Sequence, residues 1–101
     1  MGDGLHVVFG SGPAGRAVAT ELAHQGLPTR IVNRSGRPVL ADVETIGGDV
    51  TDPQFAHTAA RGAHTVYFCL NAPNYHRWPQ EFPPLQAAVV DAASAAGARL
   101  V

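Results

Sequence analysis

The apolar positions of this chain fall into short dense runs that alternate with longer stretches at helical spacing. Leu5-His6-Val7-Val8-Phe9 is nearly all apolar, as a strand buried on both faces of a parallel sheet requires, and it enters a glycine-rich turn at Gly10. From Pro13 to Gln25 the apolar set Ala14, Ala17, Val18 and Leu22 predicts a helix, with Arg16, Thr20, Glu21 and Gln25 turned outward and Gly26 as its stop. Pro28–Asn33 is a second strand, which closes a β-α-β unit within the roughly 30 residues such a unit needs. Val43–Ile46 predicts a third, weaker strand. Asp52 then caps a helix that has Pro53 at its first position and runs to about Arg61, with Phe55, Ala56 and Ala59 inward and Gly62 ending it. His64–Leu70 reads as the fourth strand and Asn71–Pro79 as an irregular loop. Pro83-Pro84 leads into a helix over Leu85–Ala96, its inner face Leu85, Ala88, Val89, Ala92 and Ala96. Arg99-Leu100-Val101 begins a fifth strand, and Met1–Gly4 is expected to be a mobile leader.

Strand and helix alternate throughout, which selects an α/β fold of Rossmann type: a doubly wound parallel sheet with helices on both faces. The expected strand order is 3-2-1-4 with a rudimentary fifth strand beside the fourth. Residues 1–101 are read as one domain, large enough for a modest core and small for a complete enzyme of this fold.

The glycines at the first turn give this fold a chemistry. Gly10-Ser11-Gly12-Pro13-Ala14-Gly15 fits G-x-G-x-x-G, the dinucleotide fingerprint. Gly10 permits the tight turn, Gly12 admits a pyrophosphate to the backbone, and Gly15 lets the helix lie close on the sheet. The helix start offers its free N–H groups to the phosphates.

Composition narrows the partners. The formal net charge of −1 argues against nucleic acid or an anionic membrane, and no apolar run reaches the ~18–20 residues of a membrane span. A single cysteine, Cys69, fits the reducing cytoplasm and reads as a small core residue. His6, His24, His57 and His64 are scattered without metal-ligand spacing, so no metal site is expected. All seven basic residues are arginine. With no lysine, no Tyr-x-x-x-Lys pair can operate within the chain, and no catalytic residue is assigned.

The end of the second strand discriminates between dinucleotides. An acidic residue there would accept the ribose hydroxyls of NAD. Asn33 stands at that position instead, followed by Arg34, Ser35 and Arg37. A guanidinium pairs with a 2′-phosphate that a carboxylate would repel. NADP(H) is therefore favoured over NAD(H), with Arg34 as the main ligand, Ser35 or Arg37 assisting, and Arg16 reaching from the first helix. Leu70, Asn71 and Ala72 close the fourth strand and should flank the ribose and pyrophosphate at the carboxyl ends of the strands. Tyr75, His76, Arg77 and Trp78 form a polar-aromatic cluster in the following loop, either a cover for the nicotinamide end or an anchor for the loop itself.

Four segments together resemble the short-chain dehydrogenase/reductase superfamily, in its extended or atypical NAD-dependent epimerase/dehydratase-like branch. They are Gly10-Ser11-Gly12-Pro13-Ala14-Gly15, Val32-Asn33-Arg34, Gly48-Asp49-Val50-Thr51-Asp52 and Val66-Tyr67-Phe68-Cys69-Leu70-Asn71-Ala72. The resemblance implies that Asp49 holds the adenine amino group and that Val50 gives a backbone contact and packs the ring. It also implies an NAD(P)-dependent oxidoreductase or epimerase whose catalytic tyrosine and lysine lie beyond the fifth strand. The module is then expected to bind cofactor and not to turn over alone.

Two other readings stay open. Gly-Ser-Gly-Pro-Ala-Gly also opens many FAD-dependent oxidoreductases, although those carry a glutamate where Asn33 stands. A dinucleotide-sensing or scaffold domain without catalysis is the other. A sheet that stops at its fourth or fifth strand exposes unpaired backbone groups, so a homodimer through that edge is expected.

Overall fold

The computed structural model describes residues 4–69 and 78–101, with side chains in the last helix described from residue 86 onward. Strand β1 (Leu5–Phe9) is followed by helix α1 (Pro13–His24), β2 (Thr29–Asn33), β3 (Glu44–Gly47), α2 (Pro53–Ala60), β4 (Ala63–Phe68), α3 (Trp78–Ala96) and β5 (Arg99–Leu100). The five strands form one parallel sheet in the order β3-β2-β1-β4-β5, as the alternation predicts.

The strand period of two divides the core into layers. Val7, Phe9, Val32 and Val66 face α2 and α3, where they meet Ala56, Ala59, Ala60, Val89, Ala92 and Ala93. Val8 and Ile31 face the other way, onto Ala19 and Leu22 of α1 and onto Val43. Among the described residues alanine dominates the inner faces of α2 and α3, which lets both helices lie close to the valines of the sheet. Central β1 is buried from His6 through Phe9, in keeping with its apolar sequence.

Four elements depart from the sequence reading, β4 only in its bounds, which are Ala63–Phe68 in place of His64–Leu70. On α1 the inward residues are Gly15, Val18, Ala19 and Leu22, while Ala14 and Ala17 are exposed. The face is set by the approach of Gly15 to the β1 turn, and residues three, four and seven positions on follow it inward. Val43 is buried but lies outside β3: it packs with the α1 layer, and the β2 ladder runs instead from Glu44 to Gly47, which pairs with Asn33. Helix α3 begins at Trp78, so Trp78 and Pro79 are helical and not part of a loop. Proline's fixed φ near −65° is a helical value, and near a helix start its missing N–H costs nothing.

Several predicted details stand. Asp52 caps α2 by accepting the Gln54 N–H at 3.0 Å, with Pro53 directly after it. Gly26, Gly62 and Gly97 follow the three helices at φ of 75°, 80° and 70°. Arg30 ties the layers together: its Nε donates to Glu44 at 2.9 Å, and a terminal nitrogen donates to the Ala59 carbonyl, at the end of α2, at 2.8 Å.

Candidate functional site

The carboxyl ends of β1, β2 and β3 bring together the glycine turn, the Asn33–Arg37 loop and the Gly48–Thr51 turn. This is the edge where parallel α/β sheets bind ligands.

Gly10 leaves β1 at φ 121°, a conformation that side chains rarely adopt. The backbone then doubles back, so that a Cβ on Gly15 would stand 2.8 Å from the Gly10 carbonyl carbon and closer still to its oxygen. A Cβ on Gly12 would meet no atom within 4 Å: that glycine faces open space. The two glycines therefore differ: one lets the helix lie close to the turn, and the other leaves its backbone open on the outside.

The N-terminus of α1 carries no cap of its own. Gly12 occupies the capping position without a side chain, Pro13 follows it, and no acidic residue stands in the first turn. The Arg16 N–H bonds the Gly12 carbonyl at 2.9 Å, which leaves the Ala14 and Gly15 N–H groups with no carbonyl of the helix to bond. Ser11, Gly12, Pro13 and Arg16 line an open depression at this point. Its chemistry suits an anion: free amides, a positive dipole end and a guanidinium.

Asn33, at the end of β2, is engaged within the protein. Its Oδ1 accepts the Gly36 N–H at 2.6 Å, and its Nδ2 donates to the Arg37 carbonyl at 3.3 Å and to Ser11 Oγ at 3.4 Å. Ser35 Oγ accepts the Arg37 N–H at 3.2 Å. Arg34 and Arg37 are exposed, and neither is in an ion pair among the described residues.

The third turn also differs from a bare ligand site. Asp49 Oδ1 accepts both the Thr51 hydroxyl at 2.6 Å and the Thr51 N–H at 2.9 Å. These bonds, with a smaller contribution from the charge of Arg34, hold the Asp49 carboxyl below the usual aspartate range. The Val50 side chain is buried in the α2–α3 layer, so this residue faces the cleft through its backbone. Cys69 follows β4, half-buried, with its N–H on the Phe9 carbonyl at 2.9 Å; burial pushes its thiol up.

The structure thus gathers Gly10–Gly15, Arg16, Asn33–Arg37, Asp49 and Val50 at one edge. Leu70, Asn71, Ala72, Tyr75, His76 and Arg77 lie outside the described residues, as does the Trp78 side chain. Sequence reasoning missed the contact between Gly36 and Gly47, where a Cβ on Gly47 would run into the Gly36 backbone. Among the described residues no group of three or more metal-ligating side chains is found, and no helix is long and apolar enough to cross a membrane.

No protein-family model and no curated protein matches the chain. Solved structures do. A Rossmann-fold NAD(P)-binding family protein from Shigella flexneri superposes with a TM-score of 0.78 at 22% identity, over 97% of this chain and 50% of that one. A short-chain dehydrogenase/reductase superfamily protein from Agrobacterium tumefaciens, solved with bound NAD, gives 0.74 at 30% identity, over 94% of this chain and 30% of that one. The Bordetella bronchiseptica enzyme WbmG, solved with NAD and UDP, gives 0.79 at 22% identity, over 96% and 36%. The fold is that of Rossmann-type NAD(P)-binding and short-chain dehydrogenase/reductase proteins, in agreement with the resemblance of the motifs. The chain spans between 30% and 50% of the length of these three proteins.

Proposed function

We propose that this chain is the cofactor-binding domain, residues 1–101, of an NAD(P)-dependent oxidoreductase or epimerase/dehydratase-like enzyme, and that it favours NADP(H). The observation that carries the reading is the uncapped start of α1, where Gly12 faces open space and the Ala14 and Gly15 amides lack helix partners. A pyrophosphate supplies the missing acceptors. The bound NAD of the Agrobacterium tumefaciens and Bordetella bronchiseptica proteins supports a nicotinamide dinucleotide as the guest here.

Gly10, Ser11, Gly12, Pro13, Ala14 and Gly15 cradle the pyrophosphate, and Leu70, Asn71 and Ala72 follow β4 to flank it. Asp49 holds the adenine amino group through the oxygen that does not face Thr51, and Val50 adds a backbone contact. Arg34, with Ser35 and Arg37, takes the 2′-phosphate. Two facts favour NADP(H) over NAD(H) or FAD: the exposed guanidiniums of Arg34 and Arg37 form no ion pair among the described residues, and the Asn33 oxygen that would meet a ribose hydroxyl is turned to Gly36.

When bound, the nicotinamide supplies hydride chemistry, and this chain's residues bind and orient it. With no lysine in the sequence, these residues do not supply a Tyr-x-x-x-Lys pair for the parent reaction. The single thiol of Cys69 supports a cytoplasmic location. A second copy pairing along β5 would satisfy its outer backbone groups, and light scattering across a concentration series tests for that dimer. Calorimetric titration with NADPH and with NADH tests the function: NADPH binds more tightly, and failure of both to bind overturns the reading.

A further inference from the structure

We infer that Asn33 and Gly47 are positioning residues for nucleotide selectivity, which fix residues 34–37 as a preformed bracket and so aim Arg34 and Arg37 at the 2′-phosphate. The inference rests on the NADP(H) reading above and adds residues that do not bind the phosphate themselves.

The bracket is held from two sides. On one side the Asn33 side chain spans it, accepting from Gly36 at 2.6 Å and donating to the Arg37 carbonyl at 3.3 Å. The same Nδ2 reaches Ser11 Oγ at 3.4 Å, so the bracket is joined to the glycine turn that meets the pyrophosphate. On the other side Gly36, at φ 75°, rests on Gly47, where an added Cβ would lie 2.7 Å from the Ser35 carbonyl carbon. Beneath both, the Gly48 N–H bonds the Asn33 carbonyl at 3.0 Å and ties the bracket to the end of β3.

A loop ordered in advance loses less entropy when its charged side chains close on a ligand. The cost of ordering residues 34–37 falls on folding, and only the two arginine side chains remain to be fixed by binding. The geometry also separates the two dinucleotides. NADPH needs the arginines where the bracket puts them; NADH lacks the 2′-phosphate and does not.

The test compares Asn33→Ala and Gly47→Ala with the parent chain by titration with NADPH and NADH, and by thermal melting without ligand. Each substitution is expected to weaken NADPH binding about tenfold, the scale of one charge-assisted hydrogen bond, and to leave NADH within about threefold. A merely structural role would weaken both dinucleotides in step with the melting temperature. A parent that prefers NADPH, with variants that keep its NADPH:NADH ratio, overturns the inference and spares the NADP(H) reading. A parent without preference overturns both. Hydrogen exchange of the Gly36 amide in the ligand-free parent is independent of whether the variants fold. Slow exchange is expected, and exchange at the unprotected rate overturns the bracket.

Discussion

Gly15 lies so close beneath Gly10 that a methyl group on it would meet the Gly10 carbonyl. That contact explains both the orientation of α1 and the position of its amino end over the carboxyl edge of β1. Gly15→Ala should therefore push the first turn of α1 away from the sheet. We expect a loss of about 1–3 kcal/mol in chemical denaturation, the usual cost of overpacking. A change within the error of the measurement would mean that the helix docks without this approach.

Arg34 is expected to set the nucleotide preference. Arg34→Asp removes a charge-assisted partner and adds a repelling carboxylate, so NADPH affinity should fall about 10–100-fold while NADH holds or improves. An unchanged ratio of the two dissociation constants in calorimetry would count against its role.

Much of this was legible in the sequence, and the exceptions share a cause. The β-α-β unit, the Asp52 cap and the strand order follow from local rules: dense apolar runs, a capping residue before a proline, and right-handed crossovers. The inner face of α1 did not, because Ala14 and Ala17 satisfy the spacing of a buried stripe as well as Ala19 does. Only the tertiary approach of Gly15 to Gly10 decides which stripe turns in. The start of α3 was hidden by its prolines: Pro79 read as the end of a loop and Pro83-Pro84 as the lead-in to a helix, whereas α3 already begins at Trp78. At the site, residue identities marked the right loops but not their internal bonds. Asn33 and Asp49 look like free ligand groups in the sequence, whereas in the fold Gly36 and Thr51 already use one oxygen of each.

Arg30 and Glu44 form an ion pair that should respond unequally to truncation. The Arg30 side chain is 19% exposed and Glu44 54%. Glu44→Ala removes a mostly solvated charge and should cost no more than about 0.5 kcal/mol. Arg30→Ala also deprives the Ala59 carbonyl of its donor and should cost about 1–2 kcal/mol. Equal losses in urea denaturation would refute the assignment of Arg30 to the end of α2.

Acid should destabilise the fold through His6. This side chain is buried, with Nδ1 3.0 Å from the Tyr67 hydroxyl and its ring 5.8 Å from that of His64. Burial first, and the His64 charge second, hold its pKa below the ordinary 6.5. The unfolded chain then binds more protons than the folded one in this range, so stability rises with pH up to about 6.5 and is lost as pH falls through the window below it. His6→Gln should flatten that slope between urea melts at about pH 5.5 and 7.5, since it keeps a polar partner for Tyr67 but does not titrate. The same slope in both proteins would assign the acid sensitivity to another group.

The central claim is that the carboxyl edge of β1, β2 and β3 receives a dinucleotide, with its pyrophosphate on the amino end of α1. Amide chemical-shift mapping on the isotope-labelled chain during an NADPH titration tests it residue by residue. Saturable shifts should cluster in residues 10–16, 33–37 and 49–50, while those of β5 and the carboxyl half of α3 stay in place. Shifts that leave residues 10–16 unmoved, or no saturable shift at all, would contradict it.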